Sequence, residues 1–80
     1  MLVLEEEIAV KTYEFWRERS SGSVLAVVLE DGVVAGSCGP LEWADIDEDA
    51  LPRLRYSAER APWIEAHREE FDLYAPLAEA

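Results

Sequence analysis

The sequence predicts an α+β fold: a three- or four-stranded antiparallel meander over about residues 2–39, followed by two helices between about 48 and 74 packed on one face. Three observations carry this expectation. The pair Asp31-Gly32 separates two runs rich in β-branched residues, and a two-residue type I′ hairpin turn needs positive φ at both central positions, which Asp-Gly supplies. Residues 12–19 alternate aromatic with charged side chains ahead of Ser20-Ser21-Gly22, as a strand entering a second turn does. Beyond Gly39-Pro40 the apolar residues recur at spacings of three and four, the period of a helix.

Taken in order, Leu2, Leu4, Ile8 and Val10 share one parity, interrupted by Glu6, and suggest a first strand. A three-residue turn at 20–22 sets Phe15 opposite Val27, Tyr13 opposite Leu29 and Trp16 opposite Ala26. Pairing Glu30 with Val33 across the Asp-Gly turn sets Leu29 opposite Val34, Val27 opposite Gly36 and Leu25 opposite Cys38. The face bearing Tyr13, Phe15, Leu25, Val27, Leu29 and Val34 is then the expected helix-covered core. A first helix near 48–59 turns Leu51, Leu54 and Ala58 inward, with Pro52 tolerated in its first turn and the carboxylates of Asp45, Asp47, Glu48 and Asp49 at its favoured end. Pro62 suits the first turn of a second helix, running to about Tyr74 with Ile64, His67, Phe71 and Tyr74 on its inner stripe.

The central strand, residues 24–29, has no polar residue on either face, whereas a sheet with one solvated face alternates apolar with polar. Both faces therefore need cover. Trp16, Val24, Ala26, Val28 and Ala35 fall on the face away from the helices and form the expected interface, with a second copy of the chain as its first candidate partner.

Length and charge narrow the function. Eighty residues hold a single small acidic domain, 1–80, with a thin core, burying about three-fifths of the extended chain's surface. Eighteen acids against seven Lys and Arg leave a net charge of -11, which opposes direct binding to nucleic acid or to an anionic membrane and favours a basic or apolar protein partner. The acids concentrate C-terminally: residues 1–40 carry seven acids and three bases, residues 41–80 eleven and four. No positive n-region precedes a long apolar stretch, and no apolar run reaches membrane-spanning length, so a cytoplasmic protein is expected. Asn and Gln are absent and Arg outnumbers Lys six to one, a composition suited to a hot environment.

The candidate chemistry is sparse. Asp45, Asp47 and Asp49 open like a calcium loop, but Ala50 stands where the sharp turn needs Gly and Tyr56 where the bidentate Glu belongs. A helix-capping role fits them better. Cys38 and His67 are the lone residues of their kinds, so a thiolate–imidazole pair can be posed only with these two, against a negative charge that disfavours a thiolate. No Gly-rich phosphate loop and no zinc-type Cys/His spacing occur, and no metal or cofactor is expected. Trp16, Trp43 and Trp63 are a heavy aromatic load, and Trp is enriched at interface hot spots. The leading expectation is a non-enzymatic protein-interaction module, a homodimer in its simplest form. An inhibitor that imitates DNA, with acids arrayed at phosphate-like spacing, is the alternative, and a small enzyme or ligand binder built on Cys38 and His67 is the third.

Overall fold

The computed structural model describes residues 10–75, in which four antiparallel strands form one sheet. These are β1 (Lys11–Glu18), β2 (Val24–Glu30), β3 (Val33–Cys38) and β4 (Phe71–Tyr74), in the order β3-β2-β1-β4. One short helix, α1 (Ala61–Ala66), and 3-10 turns at Trp43–Asp45, Glu48–Arg53 and Arg68–Glu70 complete an α+β architecture. No helix among the described residues is long and apolar enough to cross a membrane. The strand expected over residues 2–10 lies outside the described residues except for Val10, and the fourth strand comes from the other end of the chain.

The Asp-Gly turn forms as its residue types dictate, with φ of 54° at Asp31 and 85° at Gly32. Glu30 pairs with Val33 and Leu29 with Val34, as expected. A bulge between Val28 and Leu29 then shifts the register, so that Val28 faces Gly36, Val27 faces Ser37 and Ala26 faces Cys38. The extra residue turns Cys38 to the face opposite the one expected. It also brings Gly36 against Ser57 and Tyr56, where an added Cβ would lie 3.3 Å from the Ser57 carbonyl oxygen and from Tyr56 Cβ.

A second correction follows from the β1–β2 turn. The Glu18 N–H donates to the Ser23 carbonyl and the Gly22 N–H to the Glu18 carbonyl, at 2.8 and 2.7 Å, closing a four-residue turn where three were expected. Trp16 therefore pairs with Leu25, Phe15 with Ala26 and Tyr13 with Val28. A slip of one residue moves every side chain of a strand to the other face. Trp16 joins Leu25, Val27, Leu29, Val34, Ala61, Ile64 and Phe71 in one core cluster, beneath α1. Phe15 joins Val24, Ala26 and Leu51 in a second cluster on the opposite face, with Tyr13, Cys38, Leu41, Ile46, Leu54, Tyr56 and Tyr74 packed against it.

The two expected helices shrink for identifiable reasons. Asp47 caps the turn at Glu48–Arg53, its side chain accepting the Asp49 N–H at 3.0 Å, which is the capping role expected of this acidic run. Pro52 removes a donor and disfavours a helical residue before it, and the chain is extended again at Leu54. Ser57 then exchanges two 2.9 Å backbone hydrogen bonds with Ser37, so residues 54–57 run along the sheet instead of continuing a helix. The second helix stops at Ala66, and the 3-10 turn Arg68–Glu70 follows it before the chain becomes extended at Phe71. Phe71-Asp72-Leu73-Tyr74, which alternates as well as it fits a helix, forms β4 beside β1, bringing Phe71 to 5.9 Å from Trp16 between ring centroids. Among the described residues α1 covers the first face, and the 3-10 turns and extended chain of residues 41–56 cover the second.

The outer edge of β3 is closed by side-chain and backbone partners. The Glu65 carboxylate of α1 accepts the Val34 N–H at 2.9 Å, and Ser57 pairs with Ser37 further along. The Val34 N–H, together with the Arg68 guanidinium, holds the Glu65 carboxyl below its ordinary range against the opposing effect of burial.

Two measurements check this architecture. Trp16→Glu places a charge in the α1-covered core and abolishes the cooperative melt followed by circular dichroism, whereas an outward-facing Trp16 would leave the melt intact; Ile64→Ala, at a fully buried site, costs about 3 kcal/mol and lowers the midpoint by roughly 10–25 °C. Glu65→Gln lowers the urea midpoint at neutral pH. A depressed carboxylate pKa stabilises the fold above the unfolded value and stops doing so as pH falls through the folded one, so the gap between variant and wild type closes in acid.

Candidate interaction site

Four of the five residues expected to form an interface are buried inside the single chain: Trp16, Val24, Ala26 and Val28, with Ala35 half-buried. Trp16 lies under α1, while Val24 and Ala26 lie under residues 41–56. The chain covers both sheet faces itself, so any contact surface lies elsewhere. Cys38 and His67 are not brought together either. Cys38 packs against the second-face cluster, and His67 ends α1 above the first face, its ring stacked on Trp63 at 4.1 Å and its Nδ1 2.7 Å from the Trp63 carbonyl oxygen. The sheet separates them. Among the described residues no three His, Cys, Asp or Glu side chains are grouped to hold a metal ion.

The three tryptophans have three different fates. Trp16 is buried, donates its indole N–H to the Glu14 carboxylate at 2.8 Å and lies under the Arg68 guanidinium at 5.2 Å. Trp63 is half clothed by its neighbours, with His67 on its face, Arg60 at 5.3 Å and Phe71 edge-on at 6.4 Å. Trp43 is 77% exposed and has no aromatic or cationic partner among the described residues.

Trp43 borders an open groove of about 400 Å³ at the turn end of the second face, lined also by Arg17, Val24, Pro40, Leu41, Ile46 and Tyr74. The chain reaches this position through Gly39, whose φ of 146° and close approach to Leu25 exclude a side chain: an added Cβ would stand 2.8 Å from Leu25 Cδ2. The Leu41 N–H then donates to the Val24 carbonyl at 2.8 Å, laying the loop across the end of β2. The Asp45 N–H to Glu42 carbonyl bond, 2.9 Å, closes the tight turn that carries Trp43. Leu41, Ile46 and Tyr74 form an apolar floor continuous with the second-face core. The loop that carries Trp43 also bears Glu42, Asp45, Asp47, Glu48 and Asp49, all exposed, with no Lys or Arg between positions 41 and 52.

Reasoning from pairing patterns missed Trp43 because it belongs to no strand or helical stripe. The available signal was weak: an indole in an acidic loop after Gly39-Pro40, outside any sustained apolar period.

A smaller opening of about 340 Å³ lies further along the same face, between Lys11, Tyr13, Ala35, Pro52 and Tyr56. The Tyr56 hydroxyl donates to the Leu51 carbonyl at 2.6 Å, and its ring lies 5.6 Å from that of Tyr13. Burial, followed by the neighbouring Cys38 and Tyr13, pushes the Tyr56 phenol up to about 12. These contacts make Tyr56 a structural post.

A scan against protein-family models matches no family, and searches of curated proteins and of solved structures find no match either. The fold is α+β, and among the described residues the groove beside Trp43 is one of several surface openings, set apart by the exposure of its indole.

Tyrosinate absorbance in an alkaline titration tests the Tyr56 assignment. Tyr56 stays protonated at a pH midway between 10 and 12, and Tyr56→Phe removes that late step. A raised phenol pKa stabilises the fold below the unfolded value of 10 and ceases to do so above about 12, so the variant's deficit disappears at the alkaline extreme.

Proposed function

We propose that this chain is a non-enzymatic protein-interaction module that receives a partner protein in the groove beside Trp43. The exposure of Trp43 carries the reading. A large indole left in water beside an apolar floor is the kind of anchor that contributes most when a partner desolvates it. The acidic loop adds long-range attraction for a basic partner and repels wrong ones. A homodimer through the same groove is the less favoured form, because two chains each of charge -11 repel.

Imitation of DNA has weaker support. Outside the 42–49 loop three carboxylates lie beside bases: Asp72 is 2.7 Å from Arg19, Glu65 3.2 Å from Arg68 and Glu30 3.9 Å from Lys11. A phosphate-like array needs carboxylates free of such neighbours.

Immobilised wild type, Trp43→Ala and Trp63→Ala compared on the same cell extract test the groove. A protein retained by wild type and Trp63→Ala but lost from Trp43→Ala is the expected result. Equal retention by all three places the contact elsewhere. Light scattering on the purified chain settles the homodimer, which requires twice the 9.0 kDa chain mass.

A further inference from the structure

We propose that the groove takes an extended, proline-rich segment of the partner, with a basic residue at the end nearest the acidic loop. This rests on the reading of the groove as the partner site. Of the strands that border it, β1 and β2 are interior to the sheet, and β4, which brings Tyr74, offers an edge of only four residues. A peptide lying across this face finds at most that short edge, so main-chain ladder bonds hold it little. A polyproline II segment needs none. Its backbone is fully solvated and has no internal hydrogen bonds, so its carbonyl oxygens remain free to accept.

The groove is equipped for such a ligand. Its polar side chains are the Arg17 guanidinium, the Trp43 indole and the Ser23 and Tyr74 hydroxyls, and none of the four is hydrogen-bonded to another described residue. All four can donate, and they stand beside the apolar floor of Leu41 and Ile46. Pyrrolidine rings pack against aromatic and aliphatic side chains while the carbonyls between them take the donors, which is how aromatic-lined grooves read proline-rich segments. Charge sets the direction. Glu42 and Asp45 flank Trp43 in the chain and begin a run of exposed carboxylates without a base, while Arg17 stands on the β1 side of the groove. A ligand with its Lys or Arg over the acidic turn and its uncharged prolines toward Arg17 and Tyr74 matches both ends.

A random dodecapeptide library displayed on phage, selected on wild type and counter-selected on Trp43→Ala, reads the preference directly. Enrichment of peptides with spaced prolines and a terminal Lys or Arg is expected. Fluorescence anisotropy on a synthetic enriched peptide then shows at least tenfold weaker binding when its prolines become alanine, and at least tenfold weaker binding to Trp43→Ala and to Arg17→Ala. Glu42→Gln/Asp45→Asn flattens the salt dependence. Circular dichroism confirms that the variants fold, as the exposure of Trp43 and Arg17 requires. Enriched peptides without proline, no enrichment at all, or a Trp43-dependent dimer of this chain each overturn the proposal. If Trp43-dependent capture from extract persists while the library returns no proline-rich sequence, the interaction-module reading stands and only the partner's chemistry is wrong.

Discussion

Everything in this molecule depends on the pairing of Trp16 with Leu25. The four-residue turn between β1 and β2 fixes that register, and the register decides which aromatic goes to which layer. Trp16, with Phe71 beside it, gives the first face the bulk that a six-residue helix can cover. Phe15 and Tyr13 go to the second face, Phe15 opposite the small Ala26, and leave room there for chain without long helices. One more or one fewer residue in the turn would exchange the two sets and leave neither cover with matching partners.

The two edges of the sheet are handled differently. Beside β3, a carboxylate from α1 and a short extended segment occupy the backbone donors that would otherwise be open to another strand. At the other edge β4 is only four residues long, and shortness itself limits what can pair with it. With the edges managed and both faces filled, the most exposed large apolar side chain among the described residues is Trp43, on a loop. The covering segment of residues 41–56 does two things at once: its inner side chains, Leu41, Ile46 and Leu51, complete the core, and its outer ones, Trp43 and the carboxylates, make the surface.

Much of this was legible in the residues and some was not. The hairpin at Asp31-Gly32 could be read because its turn chemistry is local and nearly unique. The demand for cover on both faces could be read from the unbroken apolar run of β2. The register of β1 could not, because Arg19-Ser20-Ser21-Gly22 and the shorter Ser20-Ser21-Gly22 are both plausible turns and β1 is apolar at both Phe15 and Trp16. The bulge at Val28 and Leu29 answers to a tertiary contact, the approach of Tyr56 and Ser57 to Gly36, which no local pattern announces. Phe71-Asp72-Leu73-Tyr74 suits either period, and its pairing with β1, more than fifty residues away, decided the matter. The groove went unread for the same reason: Trp43 meets Arg17 and Tyr74 only after the distant strands have assembled.

The separate settings of the three indoles also make the chain a spectroscopic instrument. Trp16 is sealed in the core and Trp63 is 42% exposed against 77% for Trp43, so in a Trp63→Phe chain collisional quenchers meet chiefly Trp43. The carboxylates around it repel iodide and concentrate caesium, while neutral acrylamide senses exposure alone. The ratio of cationic to anionic quenching therefore measures the local potential at the groove mouth, and its decline with added salt measures how far that potential reaches into solution.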